Sequence, residues 1–269
     1  MLSHKVRPIL QMMRIHFAKY QGTGNDFIMI DGREEMINFS VDQIQEICDR
    51  RFGVGADGLI ILKNIRSHDF EMDYYNADGS QSFCGNGSRC AQAFAKELGM
   101  INESSFFYAI DGSHQGKSIG MDFGTKMGKV TDFEKIDEDY FIHTGSPHYI
   151  RYVDDVTAVD VFKEGRKIRN TDKYREEGTN VNFVSIEDSI LHVRTYERGV
   201  EDETYSCGTG VTAVAISYLI QQGSFQKEVH ILTKGGKLKI ELDRLSENEF
   251  DDIWLIGPGE KVFEGWINH

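Results

Sequence analysis

Proline is nearly absent, with three residues in 269. That leaves no proline-rich spacer, and no low-complexity tract or long linker takes its place. Cysteine is scarce as well. Cys48, Cys84, Cys90 and Cys207 are the four in the chain, too sparse over this length for a disulfide scaffold. No two of them stand in C-x2-C spacing, which argues against a structural zinc site and against a dithiol redox motif. An excess of positive charge is missing too: 30 Lys and Arg face 43 Asp and Glu, for a net charge of −13. Nucleic acid and anionic membrane surfaces are therefore poor partners. No window is apolar enough to span a membrane. Residues 1–13 carry Lys5 and Arg7 but no apolar run of signal-peptide length. The expectation is a cytoplasmic protein with reduced thiols, in which residues 1–12 form a dispensable extension before a first strand that begins at Met13.

What is present is 40% hydrophobic residues, enough for a sizeable core, and 27 glycines, which suit the tight turns of a strand-rich chain. The length allows two domains or one large one.

One short pattern occurs twice. Cys84-Gly85-Asn86-Gly87 and Cys207-Gly208-Thr209-Gly210 each precede a small, apolar, helix-like run. In both, a thiol stands just before a helix N-terminus whose first N–H groups the glycines leave uncovered. Such an end binds anions and is expected to lower the pKa of a nearby thiol. Two such ends facing each other would hold a carboxylate between two thiols.

The rest reads mostly as strands. Arg14–Tyr20 leads into the glycine turn Gln21-Gly22-Thr23-Gly24-Asn25-Asp26-Phe27, and Ile28–Ile30 follows. Ser40 with Gln43 is a capping box for a helix that buries Ile44, Ile47 and Cys48. Leu59–Leu62 and Glu71–Asn76 are further strands, with a turn at Asn76-Ala77-Asp78-Gly79-Ser80. After the first buried helix, closed by Gly99, strands are expected at 106–110, 117–121, 129–133 and 140–144, and a helix at 158–167. Strands from Asn180 and Leu191 lead to Cys207 and the second buried helix, closed by Gly223, and four strands finish the chain. The two halves share an order, and their thiols lie 123 positions apart. This predicts an internal duplication: an α+β fold of two pseudo-symmetric domains, each a barrel-like sheet around a buried helix, with the site in the cleft between them. The expected limits are 1–128 and 129–257, with the last strand, about 258–269, returning to the first domain.

Seven pieces carry a resemblance. They are residues 21–27, Tyr75-Asn76-Ala77-Asp78-Gly79-Ser80, Cys84-Gly85-Asn86-Gly87, Pro147-His148, Gly178-Thr179-Asn180-Val181-Asn182-Phe183, Glu197-Arg198-Gly199 and Cys207-Gly208-Thr209-Gly210. In this order, and over nearly the whole chain, they resemble the diaminopimelate epimerases among the cofactor-independent amino-acid racemases. The resemblance implies conversion of LL- to meso-diaminopimelate, in lysine and peptidoglycan precursor synthesis, with no cofactor and no metal. It implies Cys84 and Cys207 as the acid/base pair, with His148 and Glu197 as auxiliary catalytic residues that orient or ionise the thiols. Asn25, Asn76, Asn180, Glu197 and Arg198 match substrate-binding positions, together with Gly85, Asn86, Gly208 and Thr209. The pattern departs at Ser146, where many members have Asn, and at Gly58, where some have Gln. A homodimer is carried as an expectation that no sequence feature decides.

The chemistry stands beside the resemblance. Inverting an α-carbon needs a base on one face and an acid on the other, and a thiolate and a thiol from opposite domains supply both. The carbanionic transition state needs stabilisation, which N–H groups at two helix N-termini provide. Arg198 suits a distal carboxylate, because a guanidinium pairs with it bidentately. Taken singly, each residue has a plainer role. Cys48 and Cys90 are packing residues, His148 is structural, Asn76 and Asn180 are turn residues, and the joint pattern is what raises the others. Two alternatives stay open: a racemase of the same fold acting on another amino acid, and a thiol redox protein.

Overall fold

The computed structural model describes residues 14–34 and 37–268. The expected extension over residues 1–12 lies outside them. Strands dominate. The first half runs β1 (Arg14–Gly22), β2 (Asn25–Asp31), α1 (Val41–Cys48), β3 (Gly58–Lys63), β4 (Phe70–Asn76), α2 (Gly85–Glu97), β5 (Ser104–Ala109), β6 (Gly112–Ile119) and β7 (Asp122–Lys126). The second runs β8 (Phe133–Ile136), β9 (Asp139–His143), β10 (Pro147–Tyr152), α3 (Val161–Arg169), β11 (Asn180–Glu187), β12 (Ile190–Glu197), β13 (Asp202–Thr204), α4 (Gly208–Gln221), β14 (Glu228–Thr233), β15 (Gly236–Arg244) and β16 (Phe250–Pro258). A last strand, β17 (Glu260–Asn268), pairs with β1.

The pairing pattern repeats. In the first half β1–β2 is antiparallel, β2–β3 parallel, β3–β4 antiparallel, β4–β5 parallel, and β5–β6–β7 antiparallel. In the second, β9–β10, β10–β11, β11–β12, β12–β14 and β14–β15–β16 follow the same sequence of directions. The equivalent strands β7 and β16 pair with each other, antiparallel, so the two halves join along their pseudo-twofold relation.

Burial explains why each half curls around one helix. On β2 and β3, Phe27, Met29, Ile60 and Leu62 point inward to the cluster that includes α2. Their neighbours Ile28, Ile30, Leu59 and Ile61 point outward to α1. Strands covered on both faces read as unbroken apolar runs rather than alternating ones. In the second half α4 is buried on nearly every face through Val211, Ala213, Val214, Ala215, Ile216 and Leu219, against Ile142, Ile150, Val184 and Ile240. Trimming Ile216 to alanine there would cost roughly 2–5 kcal/mol.

Local expectations fare unevenly. The Ser40–Gln43 capping box forms reciprocally. The helix expected over 158–167 is split: a single 3-10 turn, Val156–Ala158, stops, and Asp160 caps a new helix by accepting from the Lys163 N–H at 3.1 Å. The strand expected over 129–133 is displaced: Val130 makes only an isolated bridge to Phe250, and a strand starts at Phe133 as β8. The strand expected at 117–121 ends at Ile119, because Gly120 turns at φ +63° and starts β7, which the sequence reading did not identify.

Candidate functional site

α2 and α4 each begin directly after a cysteine, and the two beginnings meet. Cys84 and Cys207 are both N-cap residues in extended backbone, and the helices open with Ser88 N–H to Cys84 O at 2.8 Å and Val211 N–H to Cys207 O at 3.0 Å. The first N–H groups, of Gly85 and Asn86 and of Gly208 and Thr209, have no acceptor within their helices. Leu255 of β16 lies beneath both starts. A Cβ on Gly208 would stand 2.7 Å from its Cδ2 and 3.9 Å from the Gly85 Cα, and a Cβ on Gly85 would stand 3.2 Å from the same Cδ2. Any larger residue at either position would have to displace the Leu255 side chain. One hydrogen bond crosses it directly, from Asn86 Nδ2 to Ser206 O at 3.2 Å.

Each thiol has its own neighbours. Cys84 Sγ accepts from the Gly87 N–H at 3.4 Å and donates to Asn25 Oδ1 at 3.6 Å. Asn25 is oriented for this because its Nδ2 donates to Asp57 Oδ2 at 2.7 Å. Asp57 in turn belongs to a network with Arg50, Asp26 and the buried Lys19. Cys207 Sγ lies 3.5 Å from Thr209 Oγ1, which stands 2.8 Å from His148 Nε2. His148 is fully buried, and its Nδ1 meets Asn182 Nδ2 at 3.2 Å, so Nδ1 accepts and Nε2 carries the proton. Nε2–H therefore donates to Thr209 Oγ1, whose own hydroxyl is left to face the sulfur. A Cβ on Gly210 would come within 2.6 Å of Asn182 Oδ1 and 3.3 Å of His148 Cε1.

The electrostatics correct one expectation. Neither thiol is lowered. Burial pushes Cys84 up to about 11, with Glu197 adding to it, against the opposing Gly87 N–H and Arg89. Burial pushes Cys207 up to about 12, again with Glu197 adding. Desolvation of an anion outweighs the helix N-terminus in a closed site. Burial also raises Glu197, which accepts from Thr204 Oγ1 at 2.8 Å, and lowers His148 to about 3, so His148 is neutral. Neither auxiliary group ionises a thiol in this resting arrangement.

The other site residues form the walls. Arg198 holds Glu177 O at 2.9 Å and Ser146 Oγ at 3.4 Å, and among the described residues no carboxylate pairs with it. Asn180 braces it, accepting from the Arg198 N–H at 2.9 Å and donating to Ser146 Oγ at 2.9 Å. Ser146 thus occupies the departure position as part of the Arg198 support. Asn76 spends its amide on its own loop, donating to Ser80 and Ser82 and accepting from Tyr74 Oη. A cleft of about 920 Å³ is lined by Asn25, Asn76, Cys84, Cys207, Glu197 and Arg198 among others. A second lobe of about 1090 Å³ reaches Cys207, Glu197 and Arg198 from the side of Phe83 and His114. Among the described residues no three His, Cys, Asp or Glu side chains cluster to hold a metal ion. The sequence reading does not reach Asn182, although it lies within the Gly178–Phe183 piece, nor Asp57, Leu255 and Arg89, for which no local signal exists.

Comparison with known proteins gives a consistent result. The chain is 48% identical over 254 residues to the diaminopimelate epimerase of Flavobacterium psychrophilum, covering 93% of this chain and 98% of that one. It is 38% identical over 276 residues to the diaminopimelate epimerase of Aquifex aeolicus, with 94% and 98% covered. In fold it matches a phenazine biosynthesis protein from Bacillus anthracis, with a TM-score of 0.77 at 13% identity over 95% of this chain and 99% of that one. The diaminopimelate epimerase pattern matches residues 17–127 and 140–257, one stretch in each half and each containing one cysteine-headed helix. On that match and those near-full-length relatives, the chain belongs to the diaminopimelate epimerase family.

Proposed function

We propose that this protein interconverts LL- and meso-diaminopimelate by passing a proton across one α-carbon between Cys84 and Cys207. The observation that carries the reading is the head-to-head meeting of two cysteine-capped helix starts, one from each half, over Leu255. An α-carboxylate held there takes the free N–H groups of Gly85 and Asn86 on one side and of Gly208 and Thr209 on the other. That placement sets the α-carbon between the two sulfurs. One thiolate removes the α-proton while the opposite thiol delivers its own, and the two exchange roles with the hand of the substrate.

Both thiols rest protonated, so one must lose its proton first. Glu197 suits that task. It is a carboxylate raised by burial, and its negative charge is among the causes that hold both thiols up. When it accepts a thiol proton its repulsion of the new thiolate disappears in the same step. On the Cys207 side, the His148–Thr209 hydrogen bond fixes the hydroxyl that faces the sulfur. Arg198, braced by Asn180 and unpaired with any described carboxylate, is the proposed receptor for the distal carboxylate. Asn25 and Asn76 complete the substrate wall.

The proposed division falls between residues 128 and 129, supported by the β7–β16 pairing, with β17 returned to the first half beside β1. The proposed setting is the cytoplasm, as a homodimer. Val262, Phe263 and Trp266 on β17 are solvent-exposed apolar residues and suit a subunit contact. Among the described residues no helix is long and apolar enough to cross a membrane.

The test is incubation of purified protein with LL-diaminopimelate in D2O, without added cofactor. Meso isomer should form, with deuterium at the inverted α-carbon. Absence of both isomer and exchange would reject the reading.

A further inference from the structure

Among the described residues, the largest fully buried side chain is a charged one. Arg89 lies in the second turn of α2 and has no measurable exposure. A buried arginine ordinarily faces a carboxylate. Among the described residues no carboxylate lies within ion-pair distance of Arg89. The titratable groups around it are Cys90, Cys84 and, more weakly, Asp122, and burial lowers its own pKa. Its positive charge is held entirely by neutral acceptors from three elements. Nη2 donates to Asn86 Oδ1 at 3.1 Å and to Thr23 Oγ1 at 3.2 Å, Nη1 to Gly85 O at 3.5 Å, and Nε to Pro258 O at 3.2 Å.

Those acceptors are not scattered. Gly85 and Asn86 are the first residues of α2, Thr23 is the tip of the β1–β2 turn, and Pro258 ends β16. Thr23 sits at φ +52°, a costly conformation for a β-branched residue that persists only where its surroundings impose it. The bond to Asn86 has a directional consequence. With Oδ1 taken by Arg89, the Asn86 amide must present Nδ2 on its other side. There Nδ2 donates to Asn25 Oδ1 at 3.3 Å, the acceptor of the Cys84 thiol, and to Ser206 O at 3.2 Å, beside Cys207. Flipping Asn86 would set its oxygen against two other oxygens and break the tie between the two thiol loops.

We propose that Arg89 is a positioning residue of this centre: it holds Asn86 in the orientation that locks the Cys84 and Cys207 loops together, and it sets an unpaired positive charge under the α2 N-terminus, where carboxylate and thiolate must be held. Only the identity of the reaction rests on the epimerase reading; the thiol environment does not. The charge reinforces the partial positive end of α2 from within, in a water-free region where such an interaction is weakly screened. An interior charge with no described carboxylate to pair it is costly to keep, which fits a role in the site better than a role in stability.

The experiment compares Arg89→Lys with Arg89→Gln. The first keeps the charge, and the second keeps hydrogen-bond donors but is neutral. Two readouts are taken on protein checked for folding by its thermal transition: kcat and KM for diaminopimelate, and the pH dependence of Cys84 and Cys207 alkylation by iodoacetamide, quantified by peptide mass. Arg89→Gln is expected to lose roughly 100-fold in kcat with a smaller change in KM. Its Cys84 should need higher pH to alkylate, with Cys207 moving less. Arg89→Lys should keep the parent's Cys84 profile and recover at least about tenfold of the lost kcat. Arg89→Met supplies a second neutral variant should the glutamine variant not fold. The proposal is overturned if a folded neutral variant keeps the parent's kcat and Cys84 profile. It is equally overturned if the lysine and glutamine variants lose activity alike while alkylation is unchanged, because Arg89 would then only brace the fold. Alkylation needs no substrate, so an inactive parent would reject the epimerase reading and leave this comparison intact.

Discussion

The two cysteine-headed helices share a motif, a position in their sheets and a length within one residue, yet α2 has the more polar interior. α2 buries Asn86, Ser88, Arg89 and Gln92 beside Ala91 and Phe94, whereas α4 buries only the hydroxyls of Thr212 and Ser217 among Val211, Val214, Ile216 and Leu219. Cys84 keeps part of its surface open to the cleft, takes a backbone N–H and faces an amide oxygen. Cys207 is buried, has no capping bond, and meets a threonine hydroxyl backed by a neutral histidine. The two halves thus share a backbone pattern while the surroundings of their thiols differ. For an enzyme that must take a proton on one face and give it on the other, this means that two equivalent-looking thiols need not be interchangeable.

The largest effect should come from removing either thiol. Cys84→Ala and Cys207→Ala are each expected to lower epimerisation by more than about 1,000-fold with the fold intact, measured by isomer formation at saturating substrate. Near-parent turnover in either variant would mean that the two sides do not work as a pair. Next comes the wall that both sides share. Arg198→Lys should cut kcat/KM for diaminopimelate by about 100-fold, mostly through KM, because an ammonium lacks the bidentate fork. Lysine, which has no distal carboxylate, should be a poor substrate for the parent, and equal kcat/KM for lysine and diaminopimelate would dismiss Arg198 as the selector.

A smaller, one-sided effect is expected from Thr209→Val, which cuts the His148–Thr209–Cys207 connection and leaves the Cys84 surroundings untouched. The kcat should fall about tenfold, with Cys207 alkylation altered and Cys84 alkylation unchanged. Equal changes at both thiols would erase the distinction. The pH dependence sharpens it further. Cys84 rises to about 11 and Cys207 to about 12 from an ordinary value of 9.0, so Cys84 should alkylate first as pH increases. The sign for stability follows from proton counting. Above pH 9 the unfolded thiols ionise while the native ones stay protonated, so stability present below pH 9 is lost as pH climbs toward 11 and 12. Urea midpoints that stay flat from pH 8 to about 10.5 would contradict such burial. Smallest of all, Cys48→Ala and Cys90→Ser should retain most activity, since both thiols are buried in packed core, Cys48 at the border of the cleft and Cys90 within α2. Loss of activity in a well-folded Cys90→Ser protein would place a third thiol in the site.

What could be read from the chain was whatever a short segment decides alone. Cys-Gly-x-Gly before an apolar run announces a thiol at a helix start because the cap, the glycines and the helix are contiguous. Ser40 and Gln43 announce a capping box for the same reason. The repeated order of elements announced two halves of like topology without a single tertiary contact. What escaped depends on distant neighbours. Helix dipole and thiol are adjacent in sequence, so a lowered pKa looked natural. The burial that reverses it comes from strands tens of positions away and from a second helix whose cysteine lies 123 positions off. Arg89 sits in a helix like any solvated arginine, and only the closing of β16 and the β1–β2 turn over it turns it into an interior charge. The break between 158 and 161 was hidden because Asp160 acts as a cap only once the 3-10 turn before it has ended.

The return of β17 to β1 has a consequence for how the molecule is made. Arg14 pairs with Asn268 and Phe17 with Gly265, so the first of the described strands waits for the last of them. The second half, by contrast, draws β8 to β16 from one contiguous stretch, apart from its seam with β7. Closing so long a loop costs little more entropy than closing a moderate one, but it is slow and comes late. On a nascent chain stalled before residue 260, β1 lacks its neighbour on one side and offers an open apolar edge. Synthesis then runs opposite to assembly: the half translated first is finished last, and it is the half most in need of chaperone cover during that interval.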